Sequence, residues 1–374
     1  MNASELLLEY LIQEGVTHLF GIPGSATTPL FKALLKKQHL ITPVLTKHEE
    51  GGAFMADGYA RMRRGLGACV STTGPGATNL LTGVATAYTD GVPLLVLTGQ
   101  VPTMTFGKGA IQEASPEGTN SVTMFKPVTK YSAMVFDSAK AGEMYRKAIR
   151  TALSGRWGPV HLSLPSDVMK LDIPKKETVI PPERYRVPAE YFDRKRVKEA
   201  CHVLADHGKA AILAGTGTSF AGANEWLKTL AEWLGIPVAT TPKAKGCFPE
   251  NHPLSLGVLG VAGCPRADQY LLETDRLDTL ITVGCGLTEI STHCWDDRLQ
   301  PKRCLIQIDI DPGAIGKNYQ VDIGLVGDAR IILEEIYYQL KREIKQSGLA
   351  SSPSAAILEK IKKTTPRFID QEKM

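Results

Sequence analysis

The chain has 374 residues, 43% of them hydrophobic, and its 43 basic and 39 acidic side chains leave a net charge of +4; that is enough material for two cores of ordinary domain size. No Lys/Arg block interleaves with aromatic residues, which argues against a nucleic-acid partner, and no run approaches the roughly 18 apolar residues of a membrane span. The seven cysteines form no CxxC pair, so a reduced, cytoplasmic protein is expected, with neither a zinc site nor a disulfide framework.

In chain order, Leu6, Leu7, Tyr10 and Leu11 recur at helical spacing with Glu5 and Glu9 inside the pattern, which reads as a helix closed by Gly15 and not as a signal peptide. HLFGIPG (18–24) reads as a strand ending in a turn, followed by a helix near 29–37, a strand near 41–46 and a helix over 49–63. ACVSTT (68–73) is the next strand, GATNLLTGVATAYTD (76–90) the next helix and PLLVLTG (93–99) a buried strand. A helix over 139–154 leads into GPVHLSLP (158–165), expected as the closing strand of the same sheet. The alternation is that of a doubly wound parallel sheet.

Prolines 174, 181, 182 and 188 then sit among charged residues without a sustained period, so 172–192 reads as a linker between a first domain, 1–171, and a second, 193–346. The second repeats the α/β rhythm: a helix over 194–207, the strand AAILAGTG (210–217), a helix near 222–234, and strands at 237–240, 278–286 and 304–311. ARIILEEIYYQLKREIKQ (329–346) is an amphipathic helix, and 347–374 is expected to be a polar connector. The fold class is therefore α/β, two doubly wound parallel-sheet domains in series. His202 and His207 are spaced poorly for a metal and are expected at the surface, and no metal site is assigned.

His48-Glu49-Glu50 lies where a strand runs into a helix, the position from which a side chain faces a ligand at the carboxyl edge of such a sheet. The alternative is that both carboxylates simply favour a helix N-terminus. GPGATN (74–79) opens a helix after a strand, and a tight turn explains it about as well as a phosphate cradle.

The stretch KHEEGGAFMADGYAR (47–61) resembles the activating-glutamate segment of acetolactate synthase-like thiamine diphosphate enzymes. GIPGSATTPLF (21–31), STTGPGATNLLTGVATAYTDGVPLLVLTGQV (71–101), IQEASPEG (111–118), KPVTK (126–130), GPVHLSLPSDV (158–168), KAKGCFPENHPLSLGVLG (243–260) and QIDIDPGAIGKN (307–318) follow in that family's order. The resemblance implies a pyrimidine-binding domain followed by a Rossmann-like central domain. It implies that Glu49 hydrogen-bonds N1′ of the cofactor's aminopyrimidine and so drives loss of the thiazolium C2 proton. A 2-oxo acid such as pyruvate is then decarboxylated and its two-carbon unit passed to a second carbonyl. By the same resemblance Thr72, Pro75 and Asn79 line the pyrimidine side of the cleft, Gly24 approaches by its backbone, and Gln112 faces cofactor and substrate. Ala53, Phe54 and Met55 are expected to supply apolar surroundings for Glu49, Glu50 is left as solvated or supporting, and Ile111 stands where an aromatic residue is common.

In that family the cofactor's diphosphate is bound through magnesium by a Gly-Asp-Gly segment with a downstream asparagine, on a third domain. Here only Gly327-Asp328-Ala329 comes near, at an expected strand end. The chain is thus expected to be incomplete alone, its diphosphate-binding domain coming from a missing segment or another chain, with a homodimer or higher oligomer formed through the first domain. Some family members hold FAD in the central domain. AGTGT (214–218) fits such a turn, but Gly286-Leu287-Thr288-Glu289 lacks the expected arginine, which favours a vestigial or differently occupied pocket. Three readings stay open: part of a carboligase, a subunit of a split enzyme, or a non-catalytic nucleotide-binding or dimerisation module.

Overall fold

Asn2 starts the first helix, α1 (Ala3–Gln13), by a reciprocal cap: its Oδ1 accepts from the Glu5 amide at 2.9 Å, and the Glu5 carboxylate accepts from the Asn2 amide at 3.1 Å. The computed structural model describes residues 1–174, 178–187, 191–261, 263–343 and 353–365. The chain divides into two units, Met1–Pro188 and Ala189–Met374.

After α1 the first unit runs β1 (His18–Gly21), α2 (Thr28–Lys37), β2 (Thr42–Leu45), α3 (Glu49–Arg63), β3 (Gly67–Ser71), α4 (Pro75–Asn79), α5 (Leu81–Asp90), β4 (Leu94–Gln100), α6 (Ser121–Phe125), β5 (Tyr131–Met134), α7 (Ala141–Ala152) and β6 (Val160–Pro165). Its sheet has the order β2-β1-β3-β4-β6-β5, with every neighbouring pair parallel. Because β1 lies between β2 and β3, the chain reverses its winding there, and a crevice opens at the carboxyl ends of β1 and β3. Leu6, Leu7, Tyr10, Leu30, Leu34, Tyr145 and Ile149 of α1, α2 and α7 pack on one face of the sheet. On the other face α3 approaches unusually closely. A Cβ on Gly67 would lie 2.4 Å from the Ala56 carbonyl oxygen, one on Gly52 3.2 Å from Gly21 Cα, and one on Gly83 of α5 2.6 Å from Ala53 Cβ.

β6, expected to close this sheet, lies inside it, and the edge is β5, which the sequence did not announce. Residues 178–187, expected within a linker, pack on the first unit: Tyr185 is buried against Tyr10, and Arg186 pairs with Glu14 at 2.8 Å. Residues 175–177 and 188–190 of that segment lie outside the described residues.

The second unit runs α8 (Arg194–Ala205), β7 (Ala210–Ala214), α9 (Thr216–Phe220), α10 (Asn224–Leu234), β8 (Val238–Thr240), β9 (Ser255–Val258), α11 (Pro265–Asp268), β10 (Thr279–Val283), β11 (Cys304–Asp309), β12 (Ile323–Val326), α12 (Ala329–Glu343) and α13 (Pro353–Thr364). Its sheet, β12-β11-β10-β7-β8-β9, is also parallel throughout. Both its edges, SLGV and IGLV, escaped the sequence reading because each is four residues long and carries a glycine. Within the stretch expected as a connector, α13 buries Leu358 and Ile361, and Ser354 Oγ accepts from the Ala210 amide at 2.8 Å; 344–352 and 366–374 lie outside the described residues. His202 is exposed as expected, but His207 is buried, with a ring nitrogen 2.8 Å from the Gly208 carbonyl oxygen.

A buried histidine ties β4, β5 and β6 together. Ser132 Oγ donates to the Val122 carbonyl at 2.7 Å, so it accepts from His161 Nδ1 at 2.8 Å, and His161 Nε2 in turn accepts from the Thr98 hydroxyl at 2.8 Å. Phe125 stacks on the ring at 4.2 Å between centroids. Burial holds the imidazole neutral, its pKa pushed down to about 3 from an ordinary 6.5. The folded value lies below the unfolded one, so the contribution of the neutral ring is complete above pH 6.5 and is lost as pH falls from 6.5 toward 3, at about 1.4 kcal/mol per pH unit. Urea unfolding should therefore show a loss of about 2 kcal/mol between pH 7 and pH 5 that His161→Gln removes; the same loss in that variant would clear His161 of the effect.

Candidate functional site

Glu49 is the first residue of α3, capped by His48, whose Nδ1 accepts from the Glu50 amide at 3.3 Å. Its residue is 9% exposed. Oε2 accepts from Asn79 Nδ2 at 3.0 Å, so the carboxylate of α3 is oriented by the last residue of α4. Oε1 has no hydrogen-bond partner among the described residues, and it lies 3.2 Å from where a Cβ on Gly76 would stand. Gly76 thus forms a floor that any side chain would fill.

The other residues singled out in the sequence gather around that floor. A Cβ on Gly24, in the turn after β1, would meet Thr72 Oγ1 at 2.4 Å, and one on Gly76 would meet Thr72 Cγ2 at 2.8 Å. The ends of β1, β2 and β3 therefore bring Gly24, Glu49 and Thr72 together at the reversal of the sheet. Gln112 arrives from the long connection between β4 and α6. Its backbone sits on Gly74, where a Cβ would lie 2.9 Å from the Gln112 carbonyl oxygen, and Thr73 donates its hydroxyl to that oxygen at 2.9 Å. Gly74 and Gln112 both have positive φ, +59° and +58°. The close crossing requires a glycine at 74, and the left-handed turn at 112 presents an exposed side chain at the rim. Pro75 opens α4 with its ring outward, exposed.

One expectation needs correction. Phe54 and Met55 are 42% and 49% exposed and do not enclose Glu49, because the turn of the helix carries them outward; Ala53 alone of that group is buried. Ile111, which stands where an aromatic residue is common, is 84% exposed.

The sequence reading missed Gln100, the last residue of β4. Its side chain is fully buried, and Oε1 accepts from the amides of Val101 at 2.9 Å and Ala114 at 3.2 Å, with the Thr73 hydroxyl 3.4 Å away. Its Nε2 has no partner, and neither does the buried Thr46 Oγ1, three residues before Glu49. Buried donors of this kind are seldom left unmade. The signal for Gln100 was a polar residue ending an otherwise apolar strand, LLVLTGQ.

A buried carboxylate with one free oxygen above a glycine floor suits the aminopyrimidine half of thiamine diphosphate, which presents ring nitrogens in a flat shape. The described residues contain no group of three or more His, Cys, Asp or Glu side chains suited to a metal ion. Asp328, the nearest approach to a magnesium motif in the sequence, is a helix cap: Oδ1 accepts from the amides of Arg330 at 2.9 Å and Ile331 at 3.2 Å. In the second unit the glycine turn after β7 fits a dinucleotide less well. The amides of Gly215 and Gly217 donate to the carbonyls of Val283 and Gly284, at 2.9 and 3.0 Å, and are thereby withdrawn from any phosphate. Asp311 accepts from the Gly313 amide at 2.9 Å as a cap of its own turn.

Comparison with known proteins gives a family for the chain. Residues 1–119 match the family described as thiamine pyrophosphate enzyme, N-terminal TPP binding domain, and residues 197–336 match the central domain of the same enzymes. The chain is 41% identical over 343 residues to a probable acetolactate synthase large subunit of Methanococcus aeolicus, covering 91% of this chain and 55% of that protein. A probable acetolactate synthase large subunit of Methanocaldococcus jannaschii is also 41% identical, over 90% of this chain and 56% of its own length. The acetolactate synthase isozyme 3 large subunit of Escherichia coli is 35% identical over 92% of this chain and 58% of its own. The chain thus spans little more than half the length of these relatives.

The floor under Glu49 can be tested directly. A methyl group at position 76 meets Thr72 Cγ2 at 2.8 Å and Glu49 Oε1 at 3.2 Å, so Gly76→Ala should destabilise the first unit by about 1–3 kcal/mol in denaturant titrations. Unchanged stability would mean that the packing there is loose.

Proposed function

The chain belongs to the thiamine pyrophosphate enzymes, carrying their N-terminal and central domains, and from that premise we propose that it is the cofactor-activating part of an acetolactate synthase-like carboligase acting on a 2-oxo acid such as pyruvate. When bound, thiamine diphosphate supplies an acidic ring carbon that acts as nucleophile and electron sink toward the 2-oxo acid. The chain's own part is to hold and move a proton. Glu49 offers Oε1 to a ring nitrogen of the pyrimidine while Asn79 fixes the carboxylate through Oε2. Gly76 lies beneath Oε1, Thr72 borders it between Gly24 and Gly76, and Gln112, exposed at the rim, is seated on Gly74 and assigned to the substrate side. The observation that carries this reading is the uncommitted carboxylate oxygen at the reversal of the first sheet.

We assign magnesium and the diphosphate to a diphosphate-binding domain outside these two units, and infer that the two units by themselves do not turn over substrate. A homodimer is placed on the first unit, where Phe54, Met55 and Met62 of α3 are exposed together. The cytoplasmic location suggested by the cysteine pattern belongs to the same proposal, as does a place in branched-chain amino acid biosynthesis. No helix among the described residues is long and apolar enough to cross a membrane.

The test supplies a diphosphate-binding domain from one of the longer relatives, fused or separate, and follows acetolactate formed from pyruvate. Glu49→Gln keeps the shape and the contact to Asn79 but removes the acid. Turnover should fall by about 10²–10⁴-fold with the unfolding temperature unchanged, and wild-type turnover in that variant would end the assignment. For the chain alone, calorimetry should find only weak binding of thiamine diphosphate with magnesium; tight binding would overturn the need for a further domain.

A further inference from the structure

At the amino edge of the first sheet, the edge away from Glu49, lies a cavity of about 190 Å³ lined by Glu14, Arg63, Arg64, Leu66, Trp157 and Arg186, among others. Its charges do not balance. Glu14 is the one acidic residue in the wall, and it is committed: it accepts from Arg186 Nε at 3.1 Å and Nη2 at 2.8 Å and also from the Tyr185 hydroxyl. Arg61, one turn earlier on α3, is paired with both Asp57 and Asp90. Arg63 and Arg64 have no carboxylate partner among the described residues. Arg63 lies over the Tyr59 ring at 5.6 Å, near the Gly15 turn.

The backbone adds an independent sign. Arg64 ends α3 in the left-handed conformation, φ 52° and ψ 49°, a position at which glycine is ordinarily favoured and a long side chain is disfavoured by about 1 kcal/mol. Gly65 follows immediately, yet it is Arg64 that takes the turn, and both residues line the cavity. The left-handed turn thus sits beside two exposed arginines whose charge no carboxylate among the described residues balances.

We infer that this cavity is a binding site for a phosphate-sized oxyanion, held by Arg63 and Arg64 and walled by Trp157 and Leu66. Guanidinium groups are suited to bidentate contacts with phosphoryl oxygens. The volume is below the roughly 300 Å³ at which pockets for drug-sized ligands begin, so a phosphoryl group fits inside while anything attached to it projects outward. The site is separate from the crevice holding Glu49 and does not depend on the proposed reaction.

The experiment uses the whole 374-residue chain. Unfolding temperature and calorimetric binding are measured with inorganic phosphate, with adenosine monophosphate and with chloride at equal ionic strength. Phosphate should raise the unfolding temperature saturably above the chloride control; no difference from chloride would overturn the proposal. A larger effect of the monophosphate than of free phosphate would support a phosphate ester as the ligand, and an equal effect would support the free anion. Arg64→Gly is the decisive variant, because glycine suits the left-handed turn. Its ligand-free stability should be equal or higher while phosphate binding weakens about tenfold or more, the loss of a charge-assisted contact. Arg63→Gln should weaken binding similarly. Undiminished phosphate binding in both variants, or binding of an acidic peptide with no response to phosphate, would overturn the proposal.

Discussion

The first unit depends on how closely α3 can lie against its sheet. A Cβ on Gly67 would fall 2.4 Å from the Ala56 carbonyl oxygen and one on Gly52 3.2 Å from Gly21 Cα, while α5 presses on α3 so closely that a Cβ on Gly83 would fall 2.6 Å from Ala53 Cβ. That approach sets the height of the helix start above the carboxyl ends of β1 and β3, and hence the position of the Glu49 carboxylate over Gly76. A helix held one side-chain layer further out would keep the topology and lose the contact to Asn79. The run of small residues along α3 therefore sets the Glu49–Asn79 contact as well as the packing.

Buried polar groups are arranged along the sheet in a consistent way. In its interior, His161, Thr98 and Ser132 satisfy one another, and the histidine is kept neutral. At the carboxyl edge the pattern changes: Gln100 gives its oxygen to two backbone amides but keeps a free Nε2, Thr46 keeps a free hydroxyl, and Glu49 keeps a free oxygen. Satisfied groups hold the strands of this sheet together, and its unsatisfied ones lie at the carboxyl edge, by the candidate site. The amino edge differs again, since its surplus there is positive charge.

Much of this was legible in one dimension. The helix over 49–63 follows from its capping residue, its small-residue face and its final basic turn, and the structure returns those bounds. Central strands such as Ala210–Ala214 and Thr279–Val283 were visible as apolar runs because both faces of the sheet are covered. The edge strands at 131–134, 255–258 and 323–326 were not, since a short, partly exposed strand has no continuous apolar stretch to betray it. The helix at 353–364 was hidden for another reason: its few buried side chains, Leu358 and Ile361, are separated by charged residues that face solvent.

The candidate site divides along the same line. Which residue types take part, and that Glu49 heads a helix after a strand, followed from local sequence, because capping, turn chemistry and strand-to-helix order act over a few residues. Tertiary structure decided that Asn79 orients the carboxylate, that Gly76 lies beneath it, that Phe54 and Met55 turn outward, and that Gln100 ties the Gln112 connection to β4. Those contacts join residues 14 to 39 positions apart, for example Gln100 with Ala114 and Thr73 with Gln112. A chain brings such partners together only when its strands have paired and its helices have settled at a fixed height, and no local period in the sequence records that distance.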